Sequence, residues 1–114
     1  MLPLSPQVFQ VLLSLVDGPR HGYSMIQDIA ERTGGEVRLT ASTLYDALAR
    51  LADQDVIEEL DRLPAGAAPD GRRRYYQLSP LGRTLASLEA RRLERLVSMA
   101  RAKRLVPAGR PRRR

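Results

Sequence analysis

Apolar residues recur at helical spacing in four stretches of this chain and alternate with polar ones in one more, with Gly and Pro at the changes. Ser5-Pro6 is a favoured cap-and-first-turn pair and predicts a helix that ends at Asp17-Gly18-Pro19. Val8, Leu12, Leu15 and Val16 share one face of it, and Phe9 and Leu13, with the flank of Val16, make a second. A helix apolar over so much of its circumference is buried on two sides, one against its own domain and one against a partner chain. A second helix is expected from about Gly22 to Thr33, with Met25, Ile26, Ile29 and Ala30 inward and Gly34-Gly35 as its stop. A third is capped by Thr40, turns Leu44, Ala47, Leu48 and Leu51 inward, and ends near Gln54.

The next segment changes period. Val56-Ile57-Glu58-Glu59-Leu60 reads as a short strand, and residues 64–71 are a loop by composition. Arg74 to Leu78 is the return strand, with Tyr76 and Leu78 on one face and Tyr75 and Gln77 on the other. Ser79-Pro80 repeats the opening of the first helix and starts a long one that runs to about Leu105, before Pro107. Leu81, Leu85, Leu88, Leu93, Leu96, Val97 and Ala100 are its apolar side, and little of the domain is left to cover them, which predicts a partner helix. The expected dimer surface is Val8, Phe9, Leu12 and Leu13 from the first helix with Leu85, Leu88, Leu93, Leu96 and Val97 from the last. The pattern predicts a mainly α fold with a two-stranded β-wing: a winged helix-turn-helix over residues 1–79, a dimerisation helix over 80–106 and a basic disordered tail over 107–114.

Composition sharpens this picture at a few points. A chain of 114 residues holds one small domain with an appended element, and a core this small gains from oligomerisation. There is no Cys, which excludes disulfides, thiolate metal sites and a Cys nucleophile and fits a reducing cytoplasm. The most apolar run, residues 8–16, has nothing basic before it and Asp17-Gly18-Pro19 where a cleavage site would stand. It is also too short to span a bilayer, so no membrane partner is expected. The net charge is +6, but seven basic groups and no acid lie in residues 101–114. The remainder, with 12 basic against 13 acidic residues, is nearly neutral. The local triplet Arg72-Arg73-Arg74 is therefore a better pointer to an anionic partner than the overall charge.

An exposed helix followed by a basic hairpin can place a helix N-terminus in the DNA major groove and cations on the flanking phosphates. On the side of the third helix away from its leucines, Ser42, Tyr45 and Asp46 can reach base edges, and Arg50, one turn later, meets backbone phosphate. Thr40 is a cap first; Ser42 and Thr43 can in addition donate to a phosphate. Tyr45 has two readings, groove contact or cover for the core edge. Three adjacent arginines repel one another at a hairpin tip, which favours phosphate contact for Arg72, Arg73 and Arg74, with one of them entering the minor groove. Tyr75 can add a hydroxyl contact, whereas Tyr76 belongs to the core. His21 is the single histidine; it cannot build a metal site alone and is expected to cap or orient the second helix, with a phosphate contact as its alternative. There is no phosphate-binding loop, dinucleotide fingerprint or zinc helix, and the one His has no evident nucleophile partner, so neither an enzyme nor a cofactor is expected.

In order along the chain, Gly18-Pro19-Arg20-His21-Gly22-Tyr23, then Thr43-Leu44-Tyr45 with Leu48 and Leu51, then Arg74-Tyr75-Tyr76-Gln77-Leu78-Ser79-Pro80-Leu81-Gly82 resemble three motifs of PadR-type transcriptional regulators. These are the entry to the second helix, the recognition helix and the exit from the wing, and the resemblance covers about residues 8 to 82. It implies a homodimeric, cytoplasmic winged-helix repressor whose last helix packs against the first and last helices of its twin, and a phosphate contact for Tyr23. The single C-terminal helix resembles the smaller subgroup of that family. Asp46 stands where the family often has Pro, and Asp55 where it often has Gly. Asp tolerates a left-handed backbone, so the turn at Asp55 survives. Asp46 either accepts from a cytosine amino group or lowers affinity.

The expected function is a dimeric regulator associated with the nucleoid, its recognition helices one DNA turn (~34 Å) apart on an inverted-repeat operator. Its partners are double-stranded DNA and a second copy; no effector is specified. The rival expectation is an adaptor that docks on another regulator and has no use for three arginines at a hairpin tip.

Overall fold

The computed structural model describes residues 2–63 and 73–107. Chain order is α1 (Pro6–Ser14), β1 (Arg20–His21), α2 (Gly22–Arg32), α3 (Ala41–Asp53), β2 (Ile57–Glu59), β3 (Tyr75–Leu78) and α4 (Pro80–Ala102). Each helix opens on a side chain that accepts from a free backbone amide of its first turn: Ser5 from Val8, His21 from Ser24, Thr40 from Thr43 and Ser79 from Gly82. The expected elements are all present, several of them shorter than read: β2 keeps only Ile57–Glu59, and β3 starts at Tyr75 rather than Arg74. Helix α1 stops at Ser14 rather than Asp17, and α4 at Ala102 rather than Leu105.

The wing differs from expectation. It is a three-stranded antiparallel sheet in the order β1-β3-β2. Arg20 and His21 pair with Tyr76 and Tyr75, while Ile57, Glu58 and Glu59 pair with Leu78, Gln77 and Tyr76. The two residues of β1 carry no period of their own, so nothing local marks them as a strand. They become one because β3 offers an unpaired edge beside the entry to α2.

Helices α2 and α3 end on positive-φ residues that let the chain reverse. Gly35 (φ 86°) donates to the Ala30 carbonyl at 2.7 Å. Asp55 (φ 62°) follows α3, and Val56 N–H reaches back to the Leu51 carbonyl at 2.9 Å, the six-to-one bond of a Schellman turn. Asp replaces the usual Gly here because its short side chain bears this conformation better than most.

The core is one cluster: Val11, Leu12 and Leu15 of α1 and the turn after it, Met25 and Ile29 of α2, Leu44, Leu48 and Leu51 of α3, then Val56, Ile57, Tyr76, Leu85 and Ala86. Burial raises the Tyr76 phenol above its ordinary value, and the nearby Glu59 carboxylate adds to the rise. Two residues assigned to a dimer surface, Leu12 and Leu85, are in this cluster, 0% and 8% exposed. The cause is simple. The first turns of α4 cross α1 and the sheet, so the helix has more of its own domain to pack on than its sequence implies. Val16, expected inward, is exposed, because α1 has already ended and the chain turns there.

The start of α4 is seated on the turn between α3 and β2. Ser79 N–H donates to the Val56 carbonyl at 3.1 Å, and its hydroxyl reaches the Asp55 carbonyl at 2.5 Å. Gly82 lies against that same Val56 carbonyl, with no room for a Cβ. Two turns further, Glu89 is buried and accepts two bonds from Arg92, at 2.9 and 2.7 Å, while the Leu4 amide also donates to it. The Arg92 guanidinium holds the Glu89 carboxyl below the ordinary carboxylate range. A depressed folded-state pKa stabilises the fold above the ordinary Glu value of 4.5 and ceases to do so as pH falls through the folded value. Glu89→Gln is therefore expected to flatten the acid limb of thermal stability between about pH 5 and pH 2, measured by scanning calorimetry across that range.

Candidate nucleic-acid interface

Helix α3 is two-sided by its sequence, and the fold uses both sides. Leu44, Ala47, Leu48 and Leu51 are buried, whereas Ser42, Thr43, Tyr45, Asp46, Ala49 and Arg50 are exposed. At about 100° per residue, Ser42, Asp46 and Ala49 point most directly outward, with Tyr45 and Arg50 on opposite flanks. Thr40 is occupied as the cap, accepting from Thr43 N–H at 3.1 Å and donating to the Thr43 hydroxyl at 3.0 Å.

The flanks lead to different neighbours. The phenol end of Tyr45 lies on the first residue of α2, Gly22, while 45% of the residue stays exposed. Both readings of Tyr45 are thus compatible with its placement. Arg50 on the other side lines a cleft of about 260 Å³ with Pro3, Leu4, Val8, Gln54 and Leu85. Tyr23, next to Gly22, is 61% exposed. The amino ends of α2 and α3 therefore present Tyr23, Ser42, Tyr45 and Asp46 near one another.

The wing is attached to this surface through His21. Its Nδ1 accepts from Ser24 N–H at 3.3 Å, its Nε2 lies 2.9 Å from Arg73 Nη1, and its ring meets Tyr75 edge-on at 5.3 Å. A neutral imidazole ring has one lone pair, so the two nitrogen contacts compete for it. Arg74 lies 3.7 Å from Glu59 on the adjacent strand, and both are well exposed, so the pair holds the guanidinium only loosely. Arg20 is different: it donates to the Ser14 carbonyl at 2.7 Å and reaches Asp28, which makes it a brace between α1 and α2. The His21–Arg73 contact was not legible in the sequence, since 52 positions separate the pair and only the pairing of β1 with β3 brings them together. Arg72 and the tail beyond Pro107 lie outside the described residues. Among the described residues no cluster of three His, Asp or Glu side chains is placed to hold a metal ion, and no helix is long and apolar enough to cross a membrane.

Residues 11–88 match the model of the transcriptional regulator PadR-like family. The chain belongs to that family. PadR-like proteins are transcriptional regulators rather than enzymes. A 37.1 kDa protein in transposon TN4556 of Streptomyces fradiae is 38% identical over 86 residues, covering 75% of this chain. The chain spans only 22% of that relative's length. Among solved structures, a Streptococcus transcriptional regulator superposes with a TM-score of 0.69 at 22% identity, covering 86% of this chain and 91% of that one. Bacillus subtilis PadR, solved in complex with operator DNA, gives a TM-score of 0.59 at 19% identity, covering 73% of this chain and 46% of that one. These proteins share the winged-helix PadR fold with the present chain.

Proposed function

We propose that this PadR-like regulator is a homodimeric repressor that binds double-stranded DNA, reading an inverted-repeat operator through the first turns of α3 and holding the flanking phosphates with the wing. The observation that carries the reading is the outward face of α3. Ser42, Tyr45 and Asp46 are polar and exposed there, and the wing of the same domain carries the exposed Arg73 and Arg74. A shared fold with a PadR solved on operator DNA supports it. Ser42, Tyr45 and Asp46 meet base edges. Tyr23, Thr40, Thr43, Arg50, Arg72, Arg73, Arg74 and Tyr75 are the proposed partners of sugar and phosphate, contacts that position a protein without reading sequence. The winged domain over 1–79 is joined to its twin by the helix over 80–106, and the basic tail over 107–114 adds affinity for any DNA.

The dimer surface follows from α4. Its inner face, carried by Leu85, Ala86 and Glu89 within the domain, continues as Leu93, Leu96 and Val97, which are 36%, 46% and 42% exposed. Val8, Phe9 and Leu13 of α1 are half-buried and complete that surface. Leu88 lies about a third of a turn away, on a strip with Leu81 and Met99. The protein works in the cytoplasm, on the nucleoid.

The test is selection from random double-stranded DNA followed by a salt titration on the enriched site. An enriched palindromic site supports the reading; no retained DNA at low salt overturns it and leaves the adaptor role. Replacing Arg72, Arg73 and Arg74 with Ala is expected to lower the slope of log affinity against log salt by roughly one unit for each phosphate no longer neutralised. An unchanged slope in the triple variant would remove the wing from the interface.

A further inference from the structure

We infer that Gly22, at the start of α2, is a positioning residue for DNA discrimination: it is glycine so that the Tyr45 phenol can lie against it and be held on the reading face of α3. The inference rests on the proposed DNA-binding role of α3.

Three observations carry it. First, the backbone at Gly22 does not require glycine. It is the first residue of an ordinary α-helix, and the positive-φ glycines are elsewhere, at 18, 34 and 35. Glycine is a poor helix former, so the position has a cost that local structure does not explain. Second, the closest obstacle to a Cβ at Gly22 is a single side chain. The three nearest atoms are all from Tyr45: the hydroxyl oxygen, Cζ at 2.7 Å and Cε1 at 3.2 Å. Third, Gly22 is buried and Tyr45 is not, so the ring is laid over the α2 terminus with its other side toward solvent.

The obstacle decides what substitution would do. At Gly22 it is the far end of a side chain, which can swing away. A methyl group there leaves the fold intact and displaces the ring. Tyr45 is 45% exposed, so its displacement moves the phenol away from one held orientation. A base contact needs one orientation held to within a fraction of an ångström. Gly22 touches no DNA in this scheme; it acts through Tyr45.

The experiment is a double-mutant cycle on the full chain. Gly22→Ala, Tyr45→Ala and the pair are titrated on the selected operator and on scrambled DNA, and each variant is melted. Gly22→Ala is expected to reduce the operator-to-scrambled affinity ratio by roughly tenfold, within the range that one good base-edge interaction commands. In the Tyr45→Ala background the same change should not lower the ratio further, and it should raise Tm, because Ala is then the better helix residue with nothing in its way. A merely structural role for Gly22 would not reverse sign with the residue at 45. Tyr45→Phe, which removes the nearest atom, should relieve part of the clash and so soften any loss of Tm caused by Gly22→Ala. If Gly22→Ala unfolds the chain alone but not with Tyr45→Ala, the clash is demonstrated, and a wild-type ratio in Tyr45→Ala alone then overturns the inference. Equal effects of Gly22→Ala in both backgrounds, a wild-type ratio in Gly22→Ala, or unfolding in both overturn the inference. If the unaltered chain does not discriminate between DNA sequences, it is the proposed function that fails.

Discussion

A chain carrying Leu93→Glu and Leu96→Glu is expected to sediment as a monomer at concentrations where the unaltered chain forms the proposed dimer. The reason lies in how α4 leaves the domain. Its inner face begins in the core, where Leu85 and Ala86 are nearly covered, and continues with the same periodicity to Leu93, Leu96 and Val97, which lie outside the core cluster and are partly exposed. Fully burying a leucine contributes about 1.5–3 kcal/mol. Leu93 and Leu96 are already partly covered, so each gains less than that. A two-fold axis counts every contact twice, and carboxylates at those positions would have to be desolvated to associate at all. The change should take away most of the association energy while leaving the winged domain folded, since neither side chain belongs to the core. Circular dichroism and sedimentation velocity together check both halves. Leu88→Glu, on the neighbouring strip, should weaken the dimer less. A double variant that remains a stable dimer would move the interface off this face.

The second large effect is expected from Gly82→Ala. A Cβ at this position is directed at the Val56 carbonyl oxygen, which is main chain and fixed by the Ser79 amide and the Schellman turn that ends α3. Relief requires lifting α4 off the sheet, with Leu85 and Ala86 behind it. Overpacking a well-filled site costs about 1–3 kcal/mol, and a backbone obstacle belongs at the upper end. For a domain of this size that lowers Tm by about 10 °C or more. Thermal melts of Gly82→Ala against the unaltered chain decide it, and an unchanged Tm would mean that α4 can shift freely. Gly22 and Gly82, both in the first turns of helices, thus present different obstacles to an added methyl group. One faces a side chain that can move and the other faces main chain that cannot.

The helices and their caps were readable because each signal is local. Ser5-Pro6, Thr40 and Ser79-Pro80 mark helix starts through bonds to amides three residues away, and the leucines of α3 face inward by spacing alone. The polar face of α3 was legible for the same reason. Tyr76 and Tyr75 divide between buried and half-buried sides by strand alternation, as expected.

What the sequence determined by itself was therefore the order, type and polarity of the elements, since these depend on backbone preferences within a few residues. The tertiary structure decided everything that depends on which distant segments meet. It made Arg20-His21 a strand by giving it an edge to pair with, and it put His21 beside Arg73. It drew Leu12 and Leu85 into the core and left Leu93 and Leu96 partly exposed, although all four share one apolar character. It set Tyr45 on Gly22. Periodicity reports which face of a helix is apolar; what covers that face is a property of the packing of the whole chain.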